Sequence, residues 1–476
     1  MSLAGTAGLA GTRLPTVVGR ALERARRLFG LAGPAVLVSV GYIDPGNWAT
    51  DLEAGARFGY RLAWVLVASS TIAVLLQTLS ARLGIVSGRN LAETCHDCYS
   101  PRVNVGLWAL AELGIIACDS AEVVGSAIAL NLLFGVPLVL GALLTALDVL
   151  VVLALQHRRL VVLQGLVGVL LLVIAGCLGA EVALVRPEGR QLLQGFVPSL
   201  PPGAVYVAVG ILGATLMPHN LYLQSALVTK SPASLRPAAL RRSWISTAIA
   251  LNIALLLNMA ILLLAAGAFS TRGLVVDDLQ EAHRLLAPVL GTSVASVLFA
   301  IALLCSGQSA TITGTLAGQI VMEGFLQARL PPVLRRAATR CAALVPAVLI
   351  FASMGESGTT RLLIGSQIVL SLQLPFAIVP LLRFTASKAI MAGAASASSI
   401  RYLASACAVG VCAANGLLLW KTFADLRTTS PFTADLFALL CAVGFAFLGW
   451  VALVPLRSPA AEAPAGPGPT PALPGP

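Results

Sequence analysis

Stretches of about twenty apolar residues recur along the whole chain, and this recurrence limits the fold more than any single motif. With 58% hydrophobic and 11% charged residues, the chain holds more apolar surface than a water-soluble core can bury. Twelve candidate spans follow, roughly 33–56, 61–84, 105–132, 136–155, 159–180, 204–227, 243–268, 288–309, 338–354, 361–383, 398–420 and 433–455. In hydrocarbon each span must satisfy its own backbone, so the spans are expected to be helices. The period-2 alternation of a membrane barrel is absent. The expected fold class is an all-α integral membrane protein.

The net charge of +11 would point to nucleic acid in a soluble protein. Here its distribution follows the positive-inside rule. With a cytoplasmic N-terminus and twelve crossings, 22 of the 31 Lys and Arg lie in cytoplasmic segments and 9 outside. Both termini are therefore expected in the cytoplasm, and no nucleic-acid partner is expected. Residues 1–32 form a basic leader whose apolar continuation runs straight into the first span, so no signal peptide is read. The transporter domain is expected over 33–456, and the Pro/Ala/Gly-rich tail 457–476 is expected to be disordered. A composition rich in Ala, Leu and Arg but poor in Lys fits a GC-rich bacterial source, hence a multi-pass protein of the plasma membrane.

Two of the spans are broken. In the first, Asp44-Pro45-Gly46-Asn47 interrupts the apolar run. Pro45 has no N–H, so the Gly41 carbonyl loses its helical partner, and Asp44 is biased out of helical geometry. In the sixth, Pro218 likewise frees the Ala214 carbonyl, beside the Met217 thioether. An ionised Asp at this depth needs a partner or a cation. Asp44, Asn47, the Ala214 carbonyl and Met217 together offer carboxylate, amide and carbonyl oxygens plus sulfur. Mg²⁺ and Ca²⁺ prefer all-oxygen shells, whereas thioether sulfur favours softer metals. Mn²⁺ and Fe²⁺ fit the mixed set, with Co²⁺, Cd²⁺ and Zn²⁺ as competitors. Each break opens a five-span half, so 33–180 and 204–383 read as inverted repeats followed by two extra helices. Paired broken helices in such repeats are where secondary transporters bind substrate.

Further polar groups lie at span depth. Asp119 and Glu122 share one face of span 3, with Glu112 further back. Such acids either line a polar path or pair with buried arginines. His219 is either a hydrogen-bonded packing residue or a proton-coupling group. Asp148 has no assigned role, and Asn415 is a candidate supporting polar group. Cys95-His96-Asp97-Cys98 reads as packing, or as a lone metal or redox pair.

A sodium-coupled amino-acid carrier on the same fold would place a substrate carboxylate against anionic Asp44 and leave Met217 without a purpose. An enzyme is not expected. The four histidines, His96, His157, His219 and His283, lie in well-separated segments, and no His-Glu-x-x-His or suitably placed Gly-x-Ser-x-Gly occurs.

With these residues in hand, the chain resembles the Nramp family of proton-coupled divalent metal transporters over about residues 34–385. The resemblance rests on Asp44-Pro45-Gly46-Asn47, Met217-Pro218-His219-Asn220, Gly307 to Thr315, Val321 to Phe325, and Leu374-Pro375-Phe376-Ala377. It implies a LeuT-like fold with alternating access. By position it assigns Asp44, Asn47, Ala214 and Met217 to the metal. It adds Gln367, a tenth-helix glutamine that approaches the metal in some states. It places Asp119 and Glu122 on a proton exit route near Arg335 and Arg336. Gln224 departs from the animal members, which often carry a second histidine there. The resemblance implies metal ions and protons as substrates, the bilayer as surroundings, no cofactor and no obligate protein partner.

Overall fold

The computed structural model describes residues 37–145, 160–229, 236–274, 276, 278–327, 331–355 and 357–457. The basic leader, Asp148, and all of the tail but Arg457 lie outside the described residues. Among the described residues there are helices and no strand.

The chain enters through a short helix, α1 (37–41), and a non-helical link before α2 (Pro45–Phe58). A 3₁₀ turn over Gly59–Leu62 leads to α3 (Ala63–Ser87). Pro45–Ser87 is one stretch of 43 residues. Drawn straight at about 1.5 Å per residue it would be about twice the hydrocarbon thickness of ~30 Å. The turn that divides it begins at Gly59 (φ 60°, ψ −134°), so two crossings share this stretch. Next come α4 (Leu91–Cys98), closed at its start by an Asn90–Glu93 capping box, and α5 (Pro101–Phe134), with Pro101 in its first turn. The visible part of α6 is 138–145.

The second half follows α7 (Leu160–Val185) and the short α8 (Gly189–Gly195). It opens on α9 (Val205–Leu216) and α10 (Pro218–Leu227), which abut at Met217. Then come α11 (Arg236–Ala268), α12 (Leu279–Leu290), α13 (Ser293–Leu326), α14 (Pro332–Met354), α15 (Ser357–Ala386), α16 (Ser398–Thr429) and α17 (Pro431–Leu453).

Ten stretches of the described residues are long and apolar enough to cross a membrane. One of them takes in the second part of the first expected span and all of the second, and half of the fourth falls on 146–155, outside the described residues. The architecture therefore agrees with twelve crossings. Several helices run past their expected bounds, α11 and α14 starting earlier and α16 ending later, and one boundary is redrawn by a break. The run from residue 288 is split by Gly291 in a left-handed conformation, so α12 is a separate amphipathic helix and the crossing starts at Ser293. Inside the bundle α5 packs along α13 and α15, α2 along α11, and α9 along α15. These contacts bring both broken helices to the middle of the molecule.

Candidate metal-binding site

Both breaks form, each by its own chemistry. At the first, Tyr42 and Ile43 make only short-range backbone bonds to Ser39 and Val40, and Asp44 becomes the N-cap of α2. Asp44 Oδ1 accepts from the Asn47 N–H at 2.8 Å. The released Tyr42 carbonyl accepts from Asn47 Nδ2 and from Asn258 Nδ2 on α11, both at 2.8 Å. The Ile43 carbonyl accepts from Ser306 Oγ on α13. The Tyr42 hydroxyl accepts from Gln77 Nε2 on α3 at 2.6 Å. The break is thus held by three neighbouring helices. Asn258, Ser306 and Gln77 have no local signature in the sequence that marks this task.

At the second break Met217 takes φ 20°, ψ 97°, outside the helical region and uncommon for a residue with a side chain. Its sulfur accepts from Asn220 Nδ2 at 3.5 Å. Gln367 on α15 joins the two breaks. A Cβ added to Gly46 would overlap the Gln367 amide, and one added to Gly213 would overlap the Gln367 carbonyl oxygen. Asn220 in turn faces Gly41 at the end of α1. Asp44, Asn47, Ala214, Met217 and Gln367 are all buried, none more than 1% exposed.

The hydrogen bonds sort the polar atoms by type. Asn47 commits its nitrogen to the Tyr42 carbonyl, Gln367 its nitrogen to Ser366 Oγ, and Asn220 its nitrogen to the Met217 sulfur. Asn47 Oδ1, Gln367 Oε1, Asn220 Oδ1 and Asp44 Oδ2 are buried and have no hydrogen-bond partner among the described residues. Buried acceptors left open while their donors are satisfied make a lining for a cation. Asn220 was legible in the motif but carried no role there; its open oxygen adds it to the set. Among the described residues no three His, Cys, Asp or Glu side chains form a metal-holding group. One carboxylate with neutral donors is a composition suited to a cation that must leave again.

A second cluster lies beside the first. Cys118 Sγ stands 3.9 Å from His219 Nε2 and 3.8 Å from Glu122 Oε1, linking the sixth-span break to α5. Glu122 Oε2 accepts from Thr311 Oγ1 at 3.0 Å and pairs with Arg340 at 3.4 Å. Asp119 faces Arg336 at 3.7 Å, and Arg336 also donates to the Thr311 carbonyl at 2.9 Å. Arg335 pairs instead with Glu112 at 3.2 Å. The resemblance had placed Arg335 and Arg336 near Asp119 and Glu122. The structure places Arg336 beside Asp119, Arg335 beside Glu112 and Arg340 beside Glu122. The reason is helical register: Arg336 and Arg340 are one turn apart on one face of α14, and Arg335 points about 100° away. Cys118 and Arg340 are not marked by the sequence, and Thr311 stands in the Gly307 to Thr315 stretch without a role there; the signal available for Arg340 is an arginine one turn after Arg336.

The remaining candidates sit outside both clusters. Asn415 exchanges two hydrogen bonds with Ser371 on α15, at 2.6 and 2.7 Å, and so supports the helix that carries Gln367. Gln224 donates to Thr247 on α11 at 3.1 Å. Cys95 and Cys98 are free thiols buried in α4. Burial pushes the Cys98 thiol up to about 11 and the Cys95 thiol well above its ordinary range. Thiols so hard to ionise are poor metal ligands and poor nucleophiles, which favours packing for this pair.

Two broken helices meeting at a polar lining deep in a helical bundle define a membrane transporter of the LeuT-like class. Residues 35–421 match the natural resistance-associated macrophage protein-like family, further along the chain than its motifs reach, and the chain belongs to that Nramp family. The divalent metal cation transporter MntH of Xanthomonas campestris is 51% identical over 405 residues, covering 83% of this chain and 91% of that one. MntH of Listeria welshimeri is 49% identical over 410 residues, covering 84% and 92%. A crystal structure of the Eremococcus coleocola manganese transporter, bound to an aromatic bis-isothiourea compound, superposes with a TM-score of 0.81 at 32% identity, covering 93% of this chain and 97% of that one. Mhp1, a nucleobase-cation-symport-1 transporter, matches at 14% identity with a TM-score of 0.53 and shares the fold alone. The family is one of transporters, not enzymes.

Proposed function

We propose that this chain imports divalent transition-metal ions, chiefly Mn²⁺ and Fe²⁺, by alternating access coupled to proton flux. The observation that carries this reading is the set of open oxygens of Asp44, Asn47, Asn220 and Gln367 grouped with the Met217 sulfur at two helix breaks. The Ala214 carbonyl, denied its donor by Pro218, completes the lining. The relatives named MntH and the manganese transporter of the same fold support the substrate class. Sulfur in the set disfavours Ca²⁺ and Mg²⁺ and admits Cd²⁺, Co²⁺ and Zn²⁺.

For the proton, the path runs from Asp44 or His219 past Cys118 to Glu122 and Asp119, and onward along the arginines of α14. Continuity supports this: His219, Cys118 and Glu122 form an unbroken contact chain. The Lys/Arg distribution supports cytoplasmic termini, and the Ala-, Leu- and Arg-rich composition supports a bacterial plasma membrane.

The test is Mn²⁺ uptake into proteoliposomes with a neutral interior and an acidic exterior, with a pH-sensitive dye inside. Acid-stimulated Mn²⁺ entry with accompanying acidification is expected. Asp119→Asn is expected to lower proton entry more than equilibrium Mn²⁺ binding. Equal loss of both would remove the separate proton route, and no Mn²⁺ flux from folded protein would remove the metal reading.

A further inference from the structure

The far side of α15 carries a feature that the metal site does not use. Two adjoining cavities, about 480 and 540 Å³, open between α5, α15, α16 and α17. Each falls within the size range of ligand sites, about 300–1,000 Å³. They share a wall of Leu110, Leu113, Leu372, Phe376, Leu440 and Gly444, so they form one apolar groove at span depth.

Its outer wall, α17, is fastened at its C-terminal end. There Arg383 donates to the carbonyls of Val451 and Val454, each at 2.6 Å, and the Arg457 N–H donates to the Cys98 carbonyl at 2.9 Å. These bonds satisfy the last carbonyls of α17 and dock them beside the start of α5. Further along, Leu439, Leu440, Val443 and Phe445 of α17 are exposed.

The fastened end of the groove is basic. Arg102 is exposed in the first turn of α5, and spacings of four, four and three residues put it on one face with Gly106, Leu110 and Leu113. It stands about 6 Å beyond Gly106 along the helix axis. No carboxylate among the described residues pairs with Arg102. An apolar slot in the bilayer capped by an unpaired cation complements one chemistry, an acyl chain joined to an anionic headgroup.

We propose that this groove seats an acyl chain of an anionic phospholipid whose phosphate lies against Arg102. The chain fills the space between α17 and α15 and braces the helix that carries Gln367.

The experiment uses the purified full chain in a neutral detergent and follows its unfolding temperature. Dioleoylphosphatidylglycerol is expected to raise it saturably by a few degrees, dioleoylphosphatidylcholine less, and glycerol 3-phosphate not at all. Gly444→Phe projects into the groove, where no atom lies within 4 Å of an added Cβ, and is expected to abolish the phosphatidylglycerol shift. Arg102→Gln is expected to make the two lipids equivalent. Leu113→Trp, at an exposed position on the opposite wall, repeats the groove test should Gly444→Phe not fold. An undiminished phosphatidylglycerol shift in the groove variants overturns the seat. Equal shifts with both lipids in the intact chain overturn headgroup selection, and a full shift with glycerol 3-phosphate overturns the role of the acyl chain.

Discussion

The polar lining at the two breaks and the α5–α14 cluster lie side by side and solve the same problem in opposite ways. Both bury acids at span depth. In the lining, no cationic side chain among the described residues pairs with Asp44, and one of its oxygens and three amide oxygens have no partner there. In the cluster, Glu112, Asp119 and Glu122 each face an arginine. One region leaves its acceptors open; the other pairs each acid with an arginine. Buried acid therefore does not by itself mark a cation site. The state of its surroundings does.

The largest effect is expected where the self-closed region is broken. Arg340→Met leaves Glu122 buried without its partner and is expected to cost about 3–5 kcal/mol of stability, read as a lowered unfolding temperature. The double variant Arg340→Met with Glu122→Gln is expected to recover much of that loss. If it does not, the pair is not what stabilises this part of the bundle. Asp44→Asn tests the open region. It removes the only carboxylate of the lining and is expected to lower Mn²⁺ uptake on the order of 100-fold, about 2.8 kcal/mol, while stability changes little or rises. A large loss of stability would mean that Asp44 is paired after all. Met217→Ala is expected to reduce the preference for Mn²⁺ over Ca²⁺ about tenfold, measured by competition in uptake. Asn220→Ala is expected to weaken equilibrium Mn²⁺ binding by about 1 kcal/mol. Unchanged binding would remove Asn220 from the lining.

What the sequence disclosed follows from what is expensive in hydrocarbon. Proline breaks and intramembrane acids are rare enough there to be read one at a time, so Asp44, Met217, Asp119 and Glu122 stood out. The helical count followed from length and hydropathy. Register between distant helices did not. Nothing along the chain says that Arg340, rather than Arg335, faces Glu122, or that Asn258 and Ser306 hold the carbonyls freed at the first break. Single polar residues in apolar helices look alike until the helices are packed. Cys118 is the clearest case: an ordinary span cysteine in sequence, and the contact between the two clusters in the fold.

Met217 carries one further consequence. In the function proposed above its sulfur helps to choose the ion, while its backbone adopts the unusual conformation that separates α9 from α10. A glycine would accept that conformation easily but has no sulfur, and any residue that keeps the sulfur keeps the backbone tension of about 1–3 kcal/mol. Substitution here therefore cannot adjust what the protein selects without also adjusting how readily the sixth span hinges. Selection acting on diet and selection acting on speed meet at one codon, and neither can be satisfied there alone.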